Sequence, residues 1–301
     1  YDDRHAMDAY VRYLVSTVKG DPHDLRVLVD CANGAASVTA QRIFNRYDMD
    51  VTYINDRPNG VNINAGCGST HLDALGKLVA EGCYDVGIAF DGDADRCLAV
   101  DEKGREIDGD KIMALIAQAM KEAGDLKGNG FVATVMSNIG LHKFAREKGF
   151  KVLCADVGDR NVRELMGKED MVLGGEQSGH IIFLDHMPTG DGQLTALHFL
   201  SIISKYGRQV SELVAEIKRY PQVLINVPGP HDAQKKAALI AAPAVRKAIE
   251  QREKLLGGDG RILVRPSGTE ALLRVMVEAS TQETAQMMAE EIARIIKNEQ
   301  K

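Results

Sequence analysis

The stretch YDVGIAFDGDADRCLAVD, residues 84–101, decides how the chain is read. Residues 84 to 90 form a short apolar run with β-branched and aromatic members, the pattern of a buried strand. The segment CLAVD has the same character. Between them stand Asp91, Asp93 and Asp95, followed by Arg96. Three carboxylates at i, i+2 and i+4 repel one another at a strand end unless a cation holds them. Oxygen ligands suit magnesium better than zinc. A guanidinium beside such an ion pairs well with a phosphate bound there. Read alone, the stretch also fits a solvated turn, where aspartates are common. An EF-hand is excluded, because its sixth position needs glycine and here holds Arg96, and the flanks are strand-like.

Outward from this stretch the pattern alternates. Leu25 to Val29 reads as a strand, Asn33-Gly34 as a turn into a helix over 35–46, MDVTYIN as a strand and HLDALGKLVAEG as a helix. The alternation then repeats, with Asp108 and Asp110 as caps of a helix over 111–123. FVATVMSN, KVLCADV, MVLGG and HIIFLD follow as strands, with helices between them and one over 191–206. Such alternation builds α/β layers. A stretch with Pro221, Pro228 and Pro230 leads into a smaller α+β piece. It holds a strand over 222–227, helical sequence broken at Pro243, the strands RILVRP and LLRVMVEA, and a final helix opened by a capping box from Ser280 to Glu283. The expected fold is α/β: two consecutive related α/β mixed-sheet domains over 1–105 and 106–220, then a smaller α+β domain over 221–301, with the proline-marked junction as a hinge.

Composition narrows the function. The 301 residues carry 37 Lys+Arg against 43 Asp+Glu, a net charge of -6, with 5% aromatics and no Trp. Such a chain repels a phosphate backbone, so nucleic acid is not an expected partner. Five cysteines without a C-x-x-C pair argue against a disulfide framework or structural zinc and fit a reducing cytoplasm. No apolar run reaches 18 residues, so no membrane span is expected. The opening Tyr1-Asp2-Asp3-Arg4 has no Met, which reads as a piece of something longer. His142, His186, His198 and His231 read as surface or core residues, not ligands.

Two further loops carry chemistry. Gly174-Gly175-Glu176-Gln177-Ser178-Gly179-His180 lies between two apolar strands. Glu176 and Ser178 project to one side of an extended segment, where a carboxylate and a hydroxyl suit the vicinal hydroxyls of a sugar. His180 suits an anion or a proton near neutral pH. Arg265-Pro266-Ser267-Gly268-Thr269-Glu270 joins two strands of the last piece and offers hydroxyls and successive N–H groups, an anion nest, with Arg265 before it and Arg274 beyond. A tight turn with a buried histidine and a polar hairpin turn are the plainer readings of the two. Together the three loops specify a phosphosugar site, one loop in each expected domain.

The loops DGDADR, GGEQSGH and RPSGTE, in this order, resemble the α-D-phosphohexomutase superfamily. The Gln in GGEQSGH, with VNINAGCGSTH at 61–71 and VGDRNV at 157–162, is most similar to its bacterial phosphoglucosamine mutase branch. The resemblance implies interconversion of glucosamine 6-phosphate and glucosamine 1-phosphate through a 1,6-bisphosphate. It implies Mg2+ on Asp91, Asp93 and Asp95, with Arg96 and His180 as catalytic residues. Glu176, Ser178, Asp159 and Arg160 would contact the sugar, and Arg265, Ser267, Gly268, Thr269 and Arg274 the phosphate. It also implies a cytoplasmic enzyme of amino-sugar and cell-wall precursor metabolism.

One departure matters. The family's phosphorylated serine sits in a Thr-Ala-Ser-His-Asn-Pro-like loop, which neither Ser37 nor Ser69 matches. The expectation is domains two to four without domain one, inactive alone. If the missing domain carries the interface of a homodimer, this chain is a monomer. Two rivals follow: a hexose-phosphate-binding module without turnover, and phosphomannomutase or phosphoglucomutase specificity. The residues fit an amino sugar and a plain hexose equally, and the resemblance selects the former. A metal-dependent phosphatase would need a D-x-D-x-[TV] context, but Asp95 holds the fifth place.

Overall fold

The apolar run ahead of the aspartates is β3 (Val86–Phe90), buried along its whole length. It belongs to a five-stranded sheet with β1 (His23–Asp30), β2 (Asp48–Ile54), β4 (Cys97–Asp101) and β5 (Glu106–Ile107), in the order β2-β1-β3-β4-β5. β1 runs parallel to β2 and β3, while β4 and β5 turn back antiparallel. The protein is described here by a computed structural model over residues 4–268 and 270–300. It divides into two compact units, Tyr1–Ser137 with Leu141–Lys218, and Asn138–Gly140 with Arg219–Lys301.

A second sheet in unit 1 repeats the first. β6 (Gly130–Thr134), β7 (Lys151–Ala155), β8 (Leu173–Gly175) and β9 (Ile181–Phe183) lie in the order β7-β6-β8-β9. β6 is parallel to β7 and β8, and β8 pairs antiparallel with β9. The correspondence is element for element: β6 with β1, β7 with β2, β8 with β3, β9 with β4. The aspartate loop between β3 and β4 therefore occupies the same topological place as the Gly-Glu-Ser loop between β8 and β9. Both follow the C-terminal end of a parallel strand, where α/β sheets place their ligands.

Helices cover the sheets because their apolar residues recur at three- and four-residue spacing. α3 (Leu72–Gly82) lays Leu75 and Val79 against Leu28, Ala89 and Val100 on one face of the first sheet. α6 (Asp159–Lys168) does the same for the second sheet with Val162 and Met166. The main core of unit 1 also takes in α1 (Arg4–Thr17), α2 (Ala36–Phe44), α4 (Gly109–Ala123), α5 (Ile139–Lys148) and α7 (Gly192–Tyr206). α4 and α7 pack on each other, and both touch strands of the first sheet, so the two sheets share one apolar core. α4 starts at Asp108, whose side chain accepts from Lys111 N. Asp110 lies in its first turn and is not the cap.

Unit 2 is a three-stranded antiparallel sheet of β10 (Gln222–Pro228), β11 (Arg261–Pro266) and β12 (Leu272–Glu278), ordered β10-β12-β11. Pro228 ends an edge strand, where a missing N–H is tolerated. α9 (Ala233–Ala241) and α10 (Pro243–Leu256) are separated at Pro243, as the sequence predicts. α11 (Gln282–Glu299) closes the core with Ala285, Met288, Ala289, Ile292 and Ile296. Its cap is Thr281, whose hydroxyl accepts from Thr284 N, and not Ser280, because Thr281 is the last residue with extended backbone before the helix. A short helix, α8 (Val210–Leu213), follows α7. No helix among the described residues is long and apolar enough to cross a membrane.

Candidate functional site

The aspartate loop is a tight turn between β3 and β4. Ala94 N donates to Asp91 O (3.2 Å), Ala94 takes a left-handed φ of 61°, and Arg96 N donates to Asp91 Oδ1 (3.1 Å). The turn brings a carboxylate oxygen from each of Asp91, Asp93 and Asp95 within 4.8 Å of one another. Burial pushes the Asp91 carboxyl up to about 6. The Arg96 N–H pulls against this, and Asp95 and Asp93 push the same way as burial. Arg96 stands beside the cluster, its Nε 3.7 Å from Asp91 Oδ2 and 3.8 Å from Asp95 Oδ1.

Backbone from distant segments grips this loop. Ala35 N donates to Gly92 O (2.9 Å), Gly192 N to Ala94 O (2.9 Å), and Cys97 N to Gly179 O (3.0 Å). The approach is so close that a Cβ on Gly34 would stand 2.2 Å from Gly92 O, and one on Gly192 2.3 Å from Arg96 O. Thr189-Gly190-Asp191-Gly192 is thus part of the site's framework, although the sequence reading saw only a helix start there. The signal was present as two glycines flanking a capping aspartate, since Asp191 accepts from Gln193 N and Leu194 N.

In the Gly-Glu-Ser loop, Glu176 N donates to His180 O and Gly179 N to Glu176 O, both at 3.0 Å. Glu176 and Ser178 do come together, with Ser178 Oγ donating to Glu176 Oε2 (3.2 Å). Gly158 N donates to Glu176 Oε1 (2.9 Å), so the VGDRNV segment meets this loop through its backbone. Asp159 accepts from Arg160 N, and Arg160 reaches Glu164 on its own helix (2.8 Å) while highly exposed, so among the described residues neither side chain is seen bonded to the loop. Gln177, which carries the branch resemblance, is tied to the start of α4: its Nε2 donates to Asp108 Oδ2 (3.3 Å) and its carbonyl accepts from Gly109 N (2.9 Å). His180 is buried. Its Nδ1 lies 3.1 Å from Asp95 Oδ2, and its Nε2 accepts from Gly190 N (3.0 Å).

The anion loop belongs to unit 2. Arg265 and Arg274 are direct partners across the β11–β12 ladder, a pairing of like charges that costs stability without a counter-charge. Arg274 reaches Glu270 (3.0 Å), whose N–H donates to Ser267 Oγ (3.2 Å). Ser267 is buried, and Thr269 lies outside the described residues. Sequence reasoning missed Lys236: it is buried, and its ammonium donates to the carbonyls of Ser267 (2.8 Å) and Glu270 (2.5 Å), closing the loop from beneath. Nothing in the Lys235-Lys236 doublet distinguishes it from a solvated pair.

The Asp91, Asp93 and Asp95 set fits a magnesium ion. The donors are all carboxylate oxygens, and Asp95 Oδ1 is buried with no hydrogen-bond partner among the described residues.

Models of the phosphoglucomutase/phosphomannomutase family match residues 8–104 (alpha/beta/alpha domain II), 108–220 (alpha/beta/alpha domain III) and 224–295 (C-terminal domain). The phosphoglucosamine mutase of Shouchella clausii is 51% identical over 291 residues, covering 96% of this chain and 64% of the relative. That of Clostridium kluyveri is 48% identical, with 97% and 64% covered. The chain thus spans 64% of the length of these relatives. A phosphoglucomutase/phosphomannomutase family protein from Burkholderia thailandensis has the same fold at a TM-score of 0.81 and 23% identity, with 97% of this chain and 64% of that one covered. The N-acetylphosphoglucosamine mutase of Aspergillus fumigatus, solved with GlcNAc-6P and magnesium, matches at 0.74 and 21%, with 96% and 68% covered.

Proposed function

The chain belongs to the phosphoglucomutase/phosphomannomutase family, and from this we propose that it supplies the metal, sugar and phosphate loops of a mutase that interconverts glucosamine 6-phosphate and glucosamine 1-phosphate. The observation that carries the reading is the aspartate triplet at the end of β3, with the Glu176–Ser178 pair at the equivalent place in the second sheet. The division 1–105, 106–220 and 221–301 assigns one loop to each domain.

In this reading Asp91, Asp93 and Asp95 hold Mg2+, which when bound offsets the charge of a transferring phosphoryl group. Arg96 adds a guanidinium on the same side of the loop, suited to a phosphate oxygen. Glu176 and Ser178 bind ring hydroxyls, and their mutual hydrogen bond keeps them oriented before a sugar arrives. Arg265, Arg274, Ser267 and the N–H groups at Gly268 and Thr269 hold the phosphate that is not reacting, which relieves the like-charge pairing of the two arginines. Asp159 and Arg160 join the sugar contacts only by leaving their present partners. The phosphoryl donor is a phosphoserine outside the three matched domains, and the setting is cytoplasmic amino-sugar metabolism. The amino-sugar preference rests on the phosphoglucosamine mutase relatives.

Calorimetric titration of the chain with glucosamine 6-phosphate, glucose 6-phosphate and mannose 6-phosphate, each with and without Mg2+, tests the reading. Saturable binding that favours the amino sugar is expected. Equal affinities would remove the sugar assignment, and no binding of any hexose phosphate would overturn the whole.

A further inference from the structure

The starts of two helices hold the aspartate loop. Ala35 N, at the cap of α2, donates to Gly92 O, and Gly192 N, in the first residue of α7, donates to Ala94 O, both at 2.9 Å. Gly92 and Ala94 are the two chain neighbours of Asp93. The backbone on each side of the middle carboxylate is therefore fixed by a different helix. The distance between the two helix starts sets how far apart these two carbonyls are held, and with them the three carboxylates.

Side chains tie the two helix starts to each other. Thr39, one turn into α2, donates its hydroxyl to Oε1 of Gln193 (2.7 Å), the residue next to Gly192. Gln193 is buried, and its Nε2 donates to the hydroxyl of Tyr10 on α1 (3.3 Å). That hydroxyl donates to Asp191 Oδ2 (2.9 Å), while Asp191 Oδ1 accepts from Gln193 N (3.0 Å) and Leu194 N (2.9 Å). The chain Thr39–Gln193–Tyr10–Asp191 thus returns to the cap of α7. A buried amide bonded at both ends admits one arrangement, where an apolar side chain would leave the helices free to slide. Among the described residues none of these four side chains is seen bonded to Asp91, Asp93 or Asp95, so their effect on the carboxylates passes through Gly92 and Ala94.

The choice between magnesium and calcium turns on such spacing. Mg2+ demands near-ideal octahedral geometry at about 2.0–2.1 Å, whereas Ca2+ accepts longer and more variable bonds. We infer that Gln193, with Thr39 and Tyr10, is a positioning residue that holds the starts of α2 and α7 at the separation that suits the aspartate loop to Mg2+ over Ca2+. The inference rests on the metal reading of Asp91, Asp93 and Asp95.

Calorimetric titration of the chain with Mg2+ and, separately, with Ca2+ tests it without any turnover, on wild type, Thr39→Val, Thr39→Ser, Gln193→Ala and Asp93→Asn. Thr39→Val removes the hydroxyl at nearly constant shape, and Gln193→Ala removes both links of the amide. Each is expected to weaken Mg2+ binding about 10-fold or more and Ca2+ binding by less than about 3-fold, so that the preference for Mg2+ falls. Thr39→Ser keeps the hydroxyl and is expected to keep the wild-type preference. An unchanged preference in Thr39→Val overturns the inference. Equal losses for the two ions in Gln193→Ala also overturn it, because they would make the role one of packing, and so does a preference lost as fully in Thr39→Ser as in Thr39→Val. If wild type does not bind Mg2+, or Asp93→Asn binds it like wild type, the metal reading itself has failed. Should Gln193→Ala not fold, the two variants at the partly exposed Thr39 decide alone.

Discussion

The aspartate loop of unit 1 and the anion loop of unit 2 solve the same problem in different ways. Each joins two antiparallel strands and gathers like charges, three carboxylates in one and the Arg265–Arg274 pair in the other. The aspartate loop is gripped by backbone on several sides, and glycines stand wherever a Cβ would collide: Gly34, Gly179 and Gly192 would each place one 2.2 to 2.4 Å from a carbonyl oxygen. The anion loop is held by side chains, Lys236 on the carbonyls of Ser267 and Glu270, Ser267 Oγ on Glu270 N and Arg274 on Glu270, and a Cβ on its own Gly268 would meet nothing within 4 Å. Carboxylates that share one small ion need fixed geometry, which backbone contacts supply. In the proposed reading the anion loop binds a phosphate, which accepts many donor arrangements, so side-chain ties suffice there.

The contrast can be broken most sharply at Asp93. In a complete enzyme that also supplies the phosphoserine, Asp93→Asn is expected to lower turnover of glucosamine 6-phosphate by at least about 100-fold, through lost transition-state charge compensation. A coupled assay that shows wild-type turnover removes the loop from the chemistry. Next in size is Arg265→Ala, expected to weaken phosphosugar binding about ten- to a hundred-fold, the worth of a charge-assisted contact of about 1.5–3 kcal/mol, while leaving Mg2+ affinity unchanged. If Mg2+ binding falls with it, the two loops are not independent.

A paired glycine experiment tests the packing difference directly. Gly192→Ala must push against the carbonyls of Arg96 and Ala94 and is expected to cost about 1–3 kcal/mol in urea unfolding. Gly268→Ala enters open space and keeps its N–H, so a change within about 0.5 kcal/mol is expected. Equal costs would erase the distinction.

The smallest effect concerns acid. His198 on α7 is pushed down to about 4 by burial, with His186 adding to the shift. It stacks on Phe183 at 4.6 Å between ring centroids. Its folded value lies below the unfolded value of about 6.5, so its contribution is present above about 6.5 and is lost as pH falls toward 4. The thermal midpoint is expected to drop by a few degrees between pH 7 and pH 5, and less so in His198→Phe. Equal slopes in both proteins would assign the acid sensitivity to other groups.

Periodicity made most of the elements legible, because apolar spacing reflects which face each element buries. The strand before Asp91, the break at Pro243 and the apolar face of α11 are all local features of this kind. Helix starts were less secure, as the shift from Ser280 to Thr281 shows, since adjacent hydroxyls can serve equally and backbone geometry chooses between them. The sharing of α4 and α7 by two sheets had no local mark, and neither did the burial of Lys236.

Residue order and type by themselves determined that three aspartates follow a buried strand, that a Glu-Ser pair and an Arg-Ser-Gly segment recur in strand-joining loops, and hence the family. Tertiary structure alone decided what holds them. Asp95 and His180 are 85 residues apart, and Lys236 lies 31 residues before the Ser267 whose carbonyl it binds. A hydrogen bond depends on a few tenths of an ångström and on direction, and only the packed chain, not the spacing of its residues, sets these.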